Sequence, residues 1–130
     1  MFKKLLQITL LVASFSLIAQ KDTTDNKKWD VSNPGKSFNY QNHSFTTNEG
    51  TWMNLDVSPD GKTIVFDMLG DIYSMPITGG KAKALRSGIP FEVQPRFSPN
   101  GKYISFTSDA EGGNNIWVMT ADGKNAKSIT

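Results

Sequence analysis

The sequence contains no cysteine and only one histidine, His43. The missing cysteines exclude disulfide bonds, thiolate metal sites and a thiol nucleophile. With a single histidine the chain has no His-x-His pair for a metal ion, and no Gly-x-Ser-x-Gly motif marks a catalytic serine. We therefore predict no catalytic residue, no metal ligand and no cofactor site in these 130 residues, and a solvated or hydrogen-bonded role for His43.

Long apolar runs are also missing, apart from one near the N-terminus. Leu5–Ile18 is mostly apolar, follows the basic Lys3 and Lys4, and gives way to polar residues after Ala19. This is the layout of a secretory signal peptide, and the run is shorter than the roughly 20 residues that cross a membrane. Residues 1–19 are thus predicted to be a signal peptide, the protein to be periplasmic or secreted, and no stable membrane span to exist. An uncleaved anchor or a core helix is the alternative.

Net charge is small. The chain has 14 basic and 12 acidic residues, and removing Lys3 and Lys4 with the leader leaves 14 − 2 = 12 basic residues against 12 acidic ones. No basic cluster with interleaved aromatic residues is present either. Because nucleic-acid-binding domains depend on such a cluster, we do not expect a nucleic-acid partner.

The rest of the chain divides into a polar segment and a segment of short apolar runs. Residues 20–37 are polar and are predicted to be a linker, in which Trp29 is the one aromatic residue. From residue 38 onward every apolar run is short and bounded by turn residues. None is long enough, at helical period, to predict a helix.

An internal repeat organises this second segment. Ser58-Pro59-Asp60-Gly61-Lys62 returns 40 residues later as Ser98-Pro99-Asn100-Gly101-Lys102, and residues 71–75 match residues 115–119 at a spacing of 44. Both Pro-Asp/Asn-Gly sequences are hairpin turns, because proline presets the second turn position and glycine accepts a left-handed backbone. Each unit is predicted to hold four strands, near residues 52–57, 63–67, 71–76 and 82–85, and near 94–97, 103–108, 115–120 and 126–129.

The third strand of each unit indicates how the sheets are arranged. Ile72 would point to one face, and Tyr73 and Met75 to the other. Both faces are apolar, which is typical of a sheet stacked between two similar sheets, as in a β-propeller. We predict an all-β fold, a partial β-propeller with two four-stranded antiparallel blades, residues 49–86 and 89–130, plus one N-terminal closing strand at residues 38–46.

A propeller ring contains four to eight blades, so the two blades predicted here need further blades to close a ring. The chain is expected to be an N-terminal fragment of a longer protein. Its first partners would then be the missing blades and a downstream domain of its own chain.

Residues 38–130 resemble the TolB-type propeller repeat, which runs Pro-x-Phe-Ser-Pro-Asp-Gly, then an Ile-x-Phe-x-Ser strand, then Ile-Tyr/Trp-x-Met and a glycine turn. Residues 95–123 match it nearly throughout, whereas the first unit departs from it at Leu55 and Val57. Residues 49–73 resemble, more narrowly, the opening of large exported bacterial proteins in which a TolB-like propeller precedes an amidohydrolase domain; tricorn-type peptidases carry similar propellers.

These resemblances imply a function but place no catalytic group in this segment. The narrower one implies a binding or substrate-gating module of a larger metal-dependent hydrolase, with any divalent metal in a downstream domain. The alternative is a TolB-type propeller that contacts envelope proteins and has no catalytic domain. Peptides and envelope proteins are the partners expected in either case.

Loops that enter the innermost strand of a blade lie on one rim of a propeller, and binding residues concentrate on such loops. The rim candidates are Glu49, Trp52, Phe91 and Glu92, with packing between blades as the alternative role.

Two further groups of acidic residues are candidates for metal binding or acid–base catalysis. Residues 109–115 carry oxygen side chains and glycines that could hold calcium, although a hairpin loop has the same composition. The second group could act as paired acids and bases, but structural roles are favoured for its members, Asp56, Asp60, Asp67 and Asp71.

Overall fold

The computed structural model describes residues 30–35, 39–41 and 43–130, and within them it contains strands and turns but no helix. The strands form two four-stranded antiparallel sheets, each in chain order. This confirms the prediction of an all-β fold with two four-stranded blades. The first sheet consists of β1 (Leu55–Val57), β2 (Thr63–Met68), β3 (Asp71–Pro76) and β4 (Lys83–Arg86). The second consists of β5 (Glu92–Phe97), β6 (Tyr103–Ser108), β7 (Asn115–Thr120) and β8 (Lys127–Ser128).

The two sheets have the same register at their centres. Phe66 lies opposite Tyr73 in the first blade, and Phe106 lies opposite Trp117 in the second. Both pairs are in ring contact, with centroids 5.7 Å and 6.3 Å apart. The sequence repeat is therefore a structural repeat.

A dry core joins the two blades. Val65 and Ile72 of the first blade meet Ile104, Phe106 and Met119 of the second, and these five side chains are buried almost completely. The faces that point away from this core are more open: on the first blade Leu55 is 56% exposed, and on the second Ile116 is 41% exposed. Each blade thus buries one apolar face against the other, and the second face is available to a further neighbour.

A buried carboxylate reinforces this core. Asp67 is 3% exposed; its Oδ1 accepts the Asn54 N–H at 2.9 Å, and its Oδ2 accepts the Asn54 side-chain amide at 2.9 Å and the Gln94 N–H at 2.6 Å. Gln94 lies in the second blade, at an irregularity of the β5–β6 pairing where its φ is 57°. The bulge frees the Gln94 N–H from the strand ladder, and Asp67 binds it across the interface.

Further hydrogen bonds cross the same interface. Asp56 Oδ2 accepts the Phe97 N–H at 2.8 Å, and Arg96 donates to the Leu55 carbonyl at 3.1 Å. The blades are therefore held by charged and backbone groups as well as by apolar contacts.

Chain order places the connections at two opposite ends of the sheets. We call the end with the β1–β2, β3–β4, β5–β6 and β7–β8 connections the turn rim; it comprises residues 58–62, 77–82, 98–102 and 121–126. The other end, the loop rim, comprises residues 47–54, 69–70, 87–91 and 109–114. Both blades point the same way, because a Cβ on Gly101 would lie 3.5 Å from Pro59, and the Phe91 ring lies against Gly70.

The predicted closing strand at residues 38–46 is not formed in the part of it that the structure describes. Residues 39–41 and 43–46 have no strand pairing, and Tyr40 and Phe45 are 61% and 64% exposed. An isolated strand has no stability without a neighbour for its backbone hydrogen bonds, and none of the eight strands supplies one.

The predicted signal peptide and most of the predicted linker, including Trp29, lie outside the described residues. Of residues 30–35, Val31 donates its N–H to the Ala110 carbonyl at 3.2 Å. Within the described ranges, no helix is long and apolar enough to span a membrane.

Replacing Asp67 tests whether this carboxylate joins the blades. Asp67→Ala leaves the Asn54 and Gln94 donors without their acceptor, so we expect a loss of about 3 kcal/mol in the free energy of unfolding. Urea denaturation of the full chain measures this loss.

Thr107→Ala is the matched control, because Thr107 occupies the equivalent strand position in the second blade and is only half buried. Its cost should not exceed about 1 kcal/mol. Equal effects of the two substitutions would show that Asp67 has no special role.

Candidate binding rim

Trp52 is the most exposed large apolar side chain of the described residues, at 96%. Its φ is 57°, in the left-handed region that non-glycine residues seldom adopt. Leu69, on the same rim, combines 78% exposure with a φ of 56°. Strained backbone together with exposed apolar side chains is more typical of binding loops than of loops that only connect strands.

Phe91 is also exposed, at 55%, but its position is fixed. Its N–H donates to Asp109 Oδ1 at 2.8 Å, and its ring lies so close to Gly70 that an added Cβ there would meet the ring at 2.7 Å. Gly70 has a φ of +85°. One face of the Phe91 ring is thus supported by the β2–β3 turn while the remainder faces solvent.

Glu49 lies on the loop rim, and it is exposed. Its backbone is held by a local turn, in which Thr47 Oγ1 donates to the Glu49 carbonyl at 2.8 Å and accepts the Glu49 N–H at 3.2 Å. Three of the four predicted rim residues, Glu49, Trp52 and Phe91, are therefore accessible from one end of the two blades.

Glu92, the fourth predicted rim residue, is buried instead, with 1% exposure. Arg86, from the last strand of the first blade, donates to both of its carboxylate oxygens at 2.8–3.2 Å. The Glu92 N–H also donates to the Gly70 carbonyl at 2.8 Å. Glu92 therefore takes the alternative role of packing between blades, because a two-point ion pair compensates for its burial.

The aspartates considered for acid–base chemistry are all bound by structural donors. Asp56 and Asp67 hold the blade interface, as described above. Asp71 Oδ1 accepts the Gly88 N–H at 3.1 Å, and its Oδ2 accepts the Tyr73 hydroxyl at 3.1 Å. Burial, and then the Asp71 charge, raise the pKa of Tyr73. These contacts match the structural roles favoured for this group.

In the loop of residues 109–115, the oxygens of Asp109 are engaged by protein donors. Asp109 Oδ1 binds the Phe91 N–H, and the Asp109 carbonyl accepts the Gly112 N–H at 2.7 Å. Across the residues that the structure describes, no three acidic or histidine side chains are grouped so that they could hold a metal ion.

The turn rim contains one hydrogen-bonding scheme three times. In Ser58–Lys62 and Ser98–Lys102, the serine hydroxyl donates to the side-chain oxygen of Asp60 or Asn100, which also accepts the N–H of the lysine. Thr120–Lys124 repeats both bonds around Asp122. This third copy was not predicted, although Thr-Ala-Asp-Gly-Lys has the same Ser/Thr-x-Asp/Asn-Gly-Lys pattern.

These turns keep their aspartates ionised. The Thr120 hydroxyl, and then Lys124, lower the pKa of Asp122 to about 2. The Ser58 hydroxyl, and then the Lys62 N–H, lower the pKa of Asp60.

A cleft of about 350 Å3 lies between the turns of the two blades. Its lining includes Ser58, Asp60 and Asn100, whose side-chain oxygens are engaged within their own turns, and the apolar Pro59, Phe97 and Ala121. The cleft is therefore a groove between neighbouring turns, lined by turn residues and apolar side chains.

Known structures share this arrangement. A TolB-type protein of Agrobacterium tumefaciens superposes with a TM-score of 0.58 at 32% identity, over 64% of this chain and 32% of the other. TolB of Acinetobacter baumannii gives a TM-score of 0.55 at 29% identity, over 65% and 22%. The two blades are TolB-like propeller blades.

Sequence relatives agree with the TolB-like assignment. An uncharacterized protein of Agrobacterium fabrum is 38% identical over 77 residues, 56% of this chain and 26% of the relative. Tricorn protease homolog 1 of Streptomyces coelicolor is 30% identical over 73 residues, 55% of this chain and 7% of the relative. No family model matches the chain. The TolB-like chain thus matches only a minor part of the length of these relatives.

Substitution of Gly70 tests the contact between this glycine and the Phe91 ring. Gly70→Ala should destabilise the protein more than Gly79→Ala, because the two glycines have nearly equal φ, +85° and +89°, and only Gly70 has a ring in the way of a Cβ. We expect about 1 kcal/mol for the backbone change in both variants and a further 1–3 kcal/mol (roughly) for the collision at Gly70. Urea midpoints measure the difference, and equal midpoints would contradict the contact.

The pKa of Asp122 tests the hydrogen bonds of the Thr120–Lys124 turn. NMR titration should give a pKa near 2 in the wild type, and Thr120→Val should raise it towards 3.8 because the hydroxyl donor is lost. Since the folded-state pKa is the lower one, the turn contributes stability that is complete above about pH 4 and lost as the pH falls towards 2. A pKa of Asp122 that does not respond to Thr120→Val would contradict this assignment.

Proposed function

We propose that the chain forms part of an exported, periplasmic propeller whose loop rim binds an extended peptide or protein segment. The exposure of Trp52, Leu69 and Phe91 at one end of the two blades carries this proposal. Large apolar side chains that are exposed together commonly mark binding surfaces, and tryptophan is enriched among the residues that dominate binding energy.

The charge of the loop rim favours a basic partner. Glu49, Asp109 and Glu111 lie on it, whereas none of its residues is a lysine or arginine. Aromatic anchors surrounded by acidic groups suit a segment that carries apolar and basic side chains. The hydrogen bond to Asp109 and the contact with Gly70 keep Phe91 in place before binding, which lowers the entropic cost of association.

The sequence relatives support a gating role within a larger hydrolase. The tricorn protease homolog of Streptomyces coelicolor, which the chain matches over 7% of its length, supports a link to peptide-handling assemblies. The resemblance of residues 49–73 to amidohydrolase-linked propellers supports a metal-dependent catalytic domain elsewhere in the protein. The catalytic groups and the divalent metal would then belong to that domain.

The second candidate function is a propeller that contacts envelope proteins and has no catalytic domain. The similarity to two TolB structures favours it. Both functions require a binding surface, and both assign it to the loop rim.

Selection from a phage-displayed library of random peptides, with the immobilised full chain as target, tests the loop rim. Selected peptides should be rich in basic and aromatic residues. Trp52→Ala should weaken their binding by about 30-fold, the effect expected of a dominant contact. Fluorescence polarisation with a labelled peptide from the selection measures this.

Ile77→Ala is the matched control, because Ile77 is an exposed apolar residue, 46% accessible, on the turn rim. It should leave peptide binding unchanged. Peptides that bind Trp52→Ala and the wild type equally, or that lose affinity with Ile77→Ala, would contradict the proposal.

A further inference from the structure

The lysines of the blades are all at one end. Residues 43–130 contain six lysines, and each lies in a turn of the turn rim or in the first residue of the strand that follows it: Lys62, Lys81, Lys83, Lys102, Lys124 and Lys127. All six are exposed. The two arginines of the same segment, Arg86 and Arg96, are used in contacts between the blades.

Few acidic groups offset this charge. Two carboxylates lie on the turn rim, Asp60 and Asp122, so the formal charge of this end, with the strand-initial Lys83 and Lys127 included, is 6 − 2 = +4. Lys124 forms an exposed ion pair with Asp122 at 3.2 Å. The opposite end carries Glu49, Asp71, Asp109 and Glu111. Although the net charge of the chain is small, positive charge is concentrated at the turn rim and negative charge at the opposite end of the sheets.

The repeated turn scheme presents these lysines in a regular way. In all three copies, a side-chain oxygen accepts the N–H of the lysine that follows the glycine, so Lys62, Lys102 and Lys124 leave the backbone at the same position of the same turn. The Lys62 and Lys102 carbonyls accept the N–H groups of Ile77 and Ala121 from the neighbouring turns. The backbones of Lys62 and Lys102 are thus fixed, and the side chains of all three lysines are exposed, that of Lys124 beside Asp122.

Exposed apolar residues stand between the lysines. Ile77 is hydrogen-bonded to Lys62 and is 46% exposed; Tyr103 follows Lys102 and is 47% exposed. Tyrosine is enriched at membrane interfaces, where its ring enters the headgroup layer and its hydroxyl stays wet. Lysines at the same level gain energy from anionic lipids.

From this arrangement we propose that the turn rim docks on an anionic phospholipid surface. Lysine is a point charge without the fork geometry that selects single carboxylates or phosphates. Six lysines spread over the end of two sheets suit a diffuse negative surface. The interspersed Ile77 and Tyr103 favour a lipid interface over a purely polar polyanion. This inference does not depend on the loop rim binding a peptide.

Vesicle co-sedimentation of the full chain tests the proposal. Vesicles of equal parts phosphatidylglycerol and phosphatidylcholine should bind the chain more tightly than phosphatidylcholine alone, and about 1 M salt should abolish the difference. Binding that remains on phosphatidylcholine measures any contribution of the apolar N-terminal run. Lys62→Gln/Lys102→Gln should weaken binding to the anionic vesicles by about 30-fold, since each lysine near such a surface contributes about five-fold.

Asn48→Asp/Asn114→Asp is the matched control, because it changes the net charge by the same amount at the loop rim. It should alter vesicle binding by less than about three-fold, since charges more than a Debye length away are screened. Equal losses for the two double variants would overturn the proposal. So would a lysine-dependent affinity for duplex DNA, used as a competing polyanion, that exceeds the affinity for the anionic vesicles.

Discussion

The interface between the two blades depends on the buried carboxylate of Asp67. Asp67 lies one residue before the end of β2, inside the core, and binds two segments outside the strand ladders: the approach to β1 at Asn54 and the bulge of β5 at Gln94. Burying a carboxylate without hydrogen-bond donors would destabilise the fold. Three donors compensate for the burial of Asp67, so that it links the two blades. Through this bulge Asp67 ties β5 to the first blade, beside the apolar core and the hydrogen bonds of Asp56 and Arg96.

The strands were predictable because their signals are local. Turn residues at fixed spacing and alternating apolar positions placed the eight strands, and the structure shows every strand limit within three residues of the expected one. The closing strand was not formed at residues 39–41 and 43–46, because a strand depends on a neighbour that its own residues do not specify. Ile72 was correctly expected on the opposite face from Tyr73 and Met75, since that follows from strand geometry alone.

The candidate site was only partly predictable. Alignment of the repeats put Glu92 beside Trp52 on the rim, but burial depends on Arg86, which belongs to the end of the preceding blade. Nothing in the local sequence distinguishes a carboxylate that faces solvent from one that meets an arginine across a sheet interface. The separation of the lysines was not predicted from the sequence for a related reason. Net charge is a sum over the chain, whereas the turns that collect the lysines at one end exist only in the folded sheets.

The two blades also differ in a way that bears on function. Asp56 and Asp67 face the second blade, and the equivalent strand positions of that blade carry Arg96 and Thr107. The outer face of the second blade therefore lacks the carboxylates that hold the inner junction, although Ile116 offers apolar surface there. The pair of blades is a unit with two unlike rims: an aromatic and acidic one at the loops, and a lysine-bearing one at the turns.

Hydrogen exchange at the Gln94 amide tests most directly whether a buried carboxylate joins the blades. If Asp67 holds this N–H across the interface, the amide should exchange as slowly as that of Phe106 in the centre of β6, since both open only when the blades separate or unfold. Exchange as fast as that of the exposed turn residue Lys81 would contradict the account, because the bulge would then be open to water and the blades would not be joined through Asp67.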